Sequence, residues 1–350
     1  MKITVETFTV RKKFALKISR GTTAQTTNIW LRLVQDNIEG WGEASPFSVD
    51  KTKSKDSPKL LAELQAIAPQ LEPYHPLQRQ QIAEKLRSSN LSSAAKAAID
   101  MALYDWLGKK ADLPLWQMWG LDCDRTVPIS VTIGISSPKD AVLRLQAWQE
   151  TLEVKMIKLK LGNPAGIEAD KAMVRAIRDK APQTRLMVDA NGGWSFADAV
   201  IMAEWLAQQE VEYIEQPLAV ADDRQLASLS AKSPLPIFVD ESCFTSADIP
   251  RLASSVAGIN LKIMKTGGLS EAIRAIQIAQ ACDLKIMFGC YSDSSLANTA
   301  MAHLAPYADY LDLDSHLNLI DDPFRGAMVK SGRLLPNDRS GLGVQHNAHS

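Results

Sequence analysis

Three carboxylates occupy similar places in the chain, each after a short apolar run: Asp189 in RLMVDANGGW, Glu215 in YIEQP and Asp240 in IFVDES. Such runs read as strands, so the three acids stand at strand ends. One acid there is an ordinary turn former or helix cap. Three on consecutive strands converge and, unpaired, raise one another's pKa values. A divalent cation removes that conflict. All-oxygen ligation favours a hard ion, Mg²⁺, with Mn²⁺ as the substitute.

The second set is cationic. IKLKLG places Lys158 and Lys160 two residues apart, on one face of a strand, with Ile157, Leu159 and Leu161 on the other. A buried ammonium needs a partner, and the strand-end acids supply one. NLKIMKTGG adds Lys262 in its strand and Lys265 just past it, before Gly267 and Gly268. If those two strands face each other across a closed sheet, Lys160 and Lys265 flank a substrate from opposite sides. Two such bases can take a proton from one face of a carbon and return one to the other, inverting a stereocentre. The α-proton of a carboxylate needs that help. Its loss gives an enediolate, whose charge a metal and the Lys158 ammonium stabilise where it develops.

The elements that must hold these residues follow a βα rhythm. Strand-like runs begin at Thr126, Lys155, Arg185, Glu212, Pro236, Gly258, Lys285 and Asp309, 22 to 30 residues apart, with helical stretches between them. Eight such units predict a closed β/α barrel, with the acids and lysines at the strands' C-terminal ends. An open doubly wound sheet is the alternative, but no GxGxxG or GKS/GKT loop is present. The first 115 or so residues read instead as strands followed by helices, an α+β unit. ITVETFTV and NIWLRLV are its strands, QDNIEG a turn, and Ser92–Lys110 a helix. GWGEASPF carries glycines that let the backbone approach a ligand or another strand. The predicted organisation is an N-terminal α+β domain over 1–118, a closed β/α barrel over 119–316, and a tail over 317–350 that returns to the N-terminal domain.

Composition narrows the function classes. With 350 residues and 46% hydrophobic content, the chain builds one large core and a smaller unit. Lys+Arg number 39 and Asp+Glu 40, a balance that argues against a nucleic-acid partner. The run Lys51 to Lys55 reads as a solvated loop. No apolar run approaches the roughly 20 residues that span a membrane. The four cysteines are scattered, which suits a reduced, cytoplasmic protein.

Taken together, these motifs resemble the enolase superfamily, muconate-lactonizing subgroup, and within it the dipeptide epimerases. The likeness runs over essentially the whole chain and implies a modified (β/α)7β barrel with the N-terminal α+β domain as its cap. It rests on Lys158-Leu-Lys160, on Asp189, Glu215 and Asp240 as metal ligands, and on Lys265 before the paired glycines. The subgroup also contains cycloisomerases and o-succinylbenzoate synthases. YLDLDSH singles out the dipeptide epimerases, because their DxD, here Asp312 and Asp314, binds a substrate's α-ammonium. The resemblance implies a Mg²⁺-dependent epimerase acting on the C-terminal residue of an L,L-dipeptide, of the L-Ala-L-Glu type, in cell-wall peptide metabolism. Hydrophobic or cationic second residues are the alternatives, and a non-catalytic barrel that only binds is the alternative of another class. The resemblance also implies substrate contacts from Arg20, in KISRGTT, and from Thr132. Arg20 favours an acidic substrate group, or serves the shared α-carboxylate or the domain contact. Asp293, in GCYSDSS, stands where relatives carry a glutamate and would suit a cationic side chain. A homo-oligomer is compatible with all of these readings.

Overall fold

The structure, a computed structural model, describes residues 1–47 and 56–347. The Lys51–Lys55 run lies outside the described residues.

The N-terminal unit begins with an antiparallel meander of β1 (Lys2–Ile18), β2 (Gly21–Gln35) and β3 (Ile38–Ala44). Asp36 and Asn37 both take positive φ, 54° and 61°, as a two-residue hairpin turn requires. The first two strands are longer than the sequence pattern indicates. They continue to a turn at Ser19–Arg20, and β1 is irregular on the way. Between Arg11 and Leu16 the pairing slips, so residues 12–15 oppose only Ala24. This bulged stretch belongs to the wall of the site, which is why its residues follow no simple alternation.

Three helices follow: α1 (Ser57–Leu71), α2 (Arg79–Ser88) and α3 (Ser93–Ala111). The Ser92 side chain caps α3 by accepting from Ala95 N. This helix is buried on most sides, between the meander and the barrel, so no single apolar stripe marks it. The glycines of GWGEASPF serve that packing, not a ligand or a neighbouring strand. A Cβ on Gly42 would lie 1.8 Å from Ala98 O, and one on Gly40 2.1 Å from Ala102 O. They let β3 lie directly on α3.

The barrel strands are β4 (Ser130–Ile133), β5 (Met156–Lys160), β6 (Arg185–Asp189), β7 (Val211–Glu215), β8 (Ile237–Val239), β9 (Gly258–Leu261), β10 (Lys285–Gly289) and β11 (Tyr310–Asp312). All neighbours are parallel and sequential. A parallel bridge from Ile129 to Leu311 joins the ends. The fold is a modified (β/α)7β barrel with an N-terminal α+β unit. The expected helix between each pair of strands shrinks to Leu226–Ser230 after β7 and Ile249–Leu252 after β8. Pro234 and Pro236 stand between the first of these helices and β8, where a helix cannot continue through them.

Alternation along the strands creates two cores. Ile157, Leu159 and Val188 face the surrounding helices. Met156, Met187, Tyr213, Phe238, Met287 and Tyr310 fill the barrel floor. The inward positions above this floor carry the charged residues. The C-terminal segment reaches both units: Leu342 N donates to Asp105 on α3 at 2.8 Å, and Gly332 O accepts from Ile129 N at 2.8 Å. No helix among the described residues is long and apolar enough to cross a membrane.

Candidate active site

Parallel register sets the acids side by side. Lys160 pairs with Asp189, and Asp189 with Glu215, across β5, β6 and β7. Asp240 follows β8 by one residue. Oxygens of Asp189, Glu215 and Asp240 all lie within 4.8 Å of one another, and the three side chains are fully buried. Three buried carboxylates so close fit a hard divalent cation. Burial, and then the Asp189 charge, push Glu215 up to about 7, the crowding that such an ion relieves.

The lysines interleave with these acids. Lys158 Nζ is 2.7 Å from Glu215 Oε2 and 2.7 Å from Asp312 Oδ2. Burial would lower its pKa, but Asp312 and Glu215 outweigh burial and keep it firmly protonated. Lys160 Nζ donates to Asp189 Oδ2 at 2.6 Å. Lys262 Nζ donates to Asp240 Oδ2 at 2.7 Å, and Lys265 Nζ to Asp240 Oδ1 at 2.5 Å. Burial opposes, yet this pair of lysines holds the Asp240 carboxyl far below the usual carboxylate range.

The two lysines on Asp240 differ in what they face. Lys262 follows β9 by one residue and continues its inward side, where Asn260 Nδ2 donates to Glu215. It lines a cavity of about 500 Å³ together with Lys160. Lys265 lies on the next short helix, Ile263–Thr266, with its Nζ also bonded to Asp240 O and Asn260 O. It does not line that cavity; the cleft it touches lies against α3. The expectation for Lys265 is therefore corrected: Lys262 is the lysine that shares the site with Lys160. Strand alternation from Asn260 carried this signal, whereas proximity to the glycines drew attention to Lys265.

A second cavity, of about 380 Å³, meets the first at Leu16, Lys160, Cys290 and Tyr291. Asp312 and Asp314 line it with Thr132. Thr132 ties the two acids together: its Oγ1 donates to Asp312 Oδ1 at 3.0 Å and its N to Asp314 Oδ2 at 2.6 Å. The two acids differ in state. Burial opposes Lys158 at Asp312, and Lys158 prevails, giving about 2; at Asp314 burial, and then Asp312, raise the pKa to about 6.

Of the two other expected substrate contacts, Arg20 borders the first cavity and Asp293 does not. Arg20, at the β1–β2 turn, is 2.6 Å from Glu241 Oε1 and donates to Asn191 O at 2.9 Å. Its guanidinium is engaged in joining the capping unit to the barrel, although it borders the first cavity. Asp293 is buried and lines no described cavity; its Oδ2 accepts from Tyr291 N at 3.1 Å. The chain folds back after β10, so Asp293 lies beneath the wall that Tyr291 presents. Sequence reasoning also missed Phe47 and Tyr291, whose rings stack at 4.5 Å. No charge or spacing marks them.

A family model described as enolase C-terminal domain-like matches residues 140–350. Another, described as mandelate racemase / muconate lactonizing enzyme, N-terminal domain, matches residues 2–120. A hydrophobic dipeptide epimerase of a Flavobacteria bacterium is 41% identical over 346 residues, 98% of each chain. One from Roseobacter litoralis is 40% identical over 345 residues, again 98% of each. A solved dipeptide epimerase of Enterococcus faecalis, complexed with Mg and the dipeptide L-Leu-L-Tyr, is similar with a TM-score of 0.91 and 30% identity over 99% of each chain.

Proposed function

The chain belongs to the mandelate racemase / muconate lactonizing enzyme family of the enolase superfamily, and on that premise we propose that it epimerises dipeptides at the α-carbon of the C-terminal residue, with a hydrophobic side chain preferred there. One observation carries the reading: Lys160 and Lys262 share a cavity above the buried acids, and that cavity opens to Asp312 and Asp314.

Asp189, Glu215 and Asp240 would hold Mg²⁺, and the ion would supply positive charge beside the substrate's carboxylate, where negative charge grows on loss of the α-proton. Lys158 adds a fixed positive charge at the same place. Lys160 approaches from the Asp189 side and Lys262 from the Asp240 side. In one direction Lys160 removes the α-proton and the Lys262 ammonium delivers its own to the opposite face. The reverse reaction exchanges the roles. Asp314, oriented by Thr132, and Asp312 receive the substrate's α-ammonium.

The preference at the second residue rests on the wall of the first cavity. Leu16, Ile18, Phe47 and Tyr291 contribute apolar surface to a wall that also carries Gln25, Thr26 and Thr27. Arg20, the support for an acidic second residue, is already paired with Glu241. Asp293, the support for a cationic one, is out of reach. Mn²⁺ as a substitute ion, a cytoplasmic location and turnover of wall-derived peptides complete the reading; the four free cysteines suit a reducing compartment.

The test is incubation of an L-Ala-L-Xaa library in D₂O, read by mass spectrometry. Deuterium gained at the second residue's α-carbon, fastest with Leu, Phe or Tyr, is the expected result. No exchange with any dipeptide, but turnover of a cyclic or lactone-forming acid, would overturn it.

A further inference from the structure

We infer that the N-terminal residue of the preferred dipeptide carries an acidic side chain, received by Lys12 and Arg144 at the end of the cavity beyond Asp314. The inference rests on the dipeptide reading above and extends it to the other half of the substrate.

Both cations line the same 380 Å³ cavity as Asp312 and Asp314. They come from different units. Lys12 stands on the bulged stretch of β1, while Arg144 stands on the helix Pro138–Gln149 that follows β4. Lys12 is only 8% exposed. Neither side chain makes a hydrogen bond or an ion pair within 4 Å among the described residues. Asp314 acts on both beyond ion-pair distance, and Cys290 and Asp293 also face Lys12 at such range. Burial lowers Lys12, and it pushes Arg144 down to about 10. Both cations therefore present their charge to the cavity without a partner from the protein.

Arg144 is also rigid. Its guanidinium carbon lies 4.0 Å from the Phe14 ring centroid and 4.1 Å from that of Trp148. Two aromatic rings hold the plane of the guanidinium and leave its N–H groups without acceptors. A planar fork fixed in this way is suited to a carboxylate. Asp140, the other acid on this wall, accepts from Ser137 Oγ at the start of its own helix instead.

Charge balance points the same way. Asp312 already accepts from Lys158, Ser130 and Thr132. A bound α-ammonium therefore draws mainly on Asp314, the same group that steadies Lys12 and Arg144 at a distance. With a neutral N-terminal side chain, Lys12, Arg144 and the α-ammonium depend on Asp314 and on an Asp312 that Lys158 already engages. A substrate carboxylate between Lys12 and Arg144 restores the balance. A cationic side chain makes it worse.

Epimerisation of L-Glu-L-Leu, L-Asp-L-Leu, L-Ala-L-Leu and L-Lys-L-Leu is compared by kcat/KM, in wild type and in Lys12→Met and Arg144→Gln. Wild type should favour the better acidic dipeptide over L-Ala-L-Leu by about tenfold or more, as charge-assisted pairing implies, with L-Lys-L-Leu slowest. Each variant should shrink the ratio of acidic to alanyl substrate by about tenfold, and Lys12→Arg should restore most of it. If L-Ala-L-Leu is turned over and the acidic dipeptides are no better, this inference fails while the dipeptide reading stands. If no dipeptide is turned over, the dipeptide reading itself fails. Should the variants not fold, the wild-type ratio alone decides.

Discussion

Lys262 Nζ lies 4.4 Å from the centroid of the Tyr291 ring. The same ring stacks on Phe47 with planes 13° apart. A barrel lysine is thereby steadied through one aromatic face by the capping unit, a contact worth about 1 kcal/mol or somewhat more when desolvated. Tyr291→Phe keeps the ring and should hold kcat within about threefold. Tyr291→Ala should lower it by about tenfold. Steady-state kinetics with L-Ala-L-Leu check both, and equal losses in the two variants would mean the hydroxyl matters, not the face.

The lysines separate by exchange experiments. Lys160→Ala and Lys262→Ala should each lose net epimerisation, yet each should still exchange the α-proton of one epimer with D₂O, and a different one. Lys265→Ala should weaken exchange of both epimers together, because it removes a partner of Asp240 and not a base. NMR of each pure epimer reads the outcome. Single-epimer exchange in Lys265→Ala would return the base role to that residue.

Lys158→Met removes a cation that touches both Glu215 and Asp312. Both reaction directions should fall by about 10² or more, the scale of losing one oxyanion-stabilising donor. Loss of α-proton exchange with D₂O from one epimer and not the other would count against a shared electrostatic role.

Chelation followed by dialysis should abolish activity, and added Mg²⁺ should restore it. Asp240→Asn should weaken the restoration, moving the Mg²⁺ concentration for half activity upward by about tenfold or more. Full activity after exhaustive chelation would remove the metal from the mechanism.

Acid should destabilise the fold through His303. This residue is fully buried, its Nδ1 accepts from Trp116 N at 3.3 Å, and its Nε2 meets Leu342 O at 3.1 Å. Burial lowers its pKa from 6.5 to about 4. The unfolded chain then binds the proton more readily, so stability is full above about 6.5 and declines as pH falls toward about 4. The loss is about 3 kcal/mol at most, on the order of 1.4 kcal/mol per unit of pKa difference. Denaturant titrations between those two pH values should show a shallower decline in His303→Asn than in wild type.

The barrel and its acids were legible because strand alternation and βα spacing are local properties of the sequence. Asp189 and Glu215 end their strands and Asp240 follows its own, as their apolar runs indicate. What escaped depended on contacts distant in sequence. Arg20 reads as a free cation until Glu241, 221 positions later, is seen beside it. Lys265 reads as a strand-end base until the turn into Ile263–Thr266 carries it away from the cavity. Phe14 reaches Arg144, and Lys12 shares a cavity with both, only because β1 bulges over the helix after β4, and no periodicity announces a bulge.

That bulge has a consequence for how a chain like this one changes its diet. Residues 12–15 oppose a single residue of β2, so their number and identity are not dictated by strand pairing. They line the cavity beside Asp314, while Lys160 and Lys262, the proposed bases, stand on a separate unit. Substitutions, or even a gained or lost residue, can alter which peptide is accepted without disturbing the groups that move the proton. Selection can therefore act on appetite and on chemistry independently, and divergence among such enzymes should concentrate in this short stretch of β1.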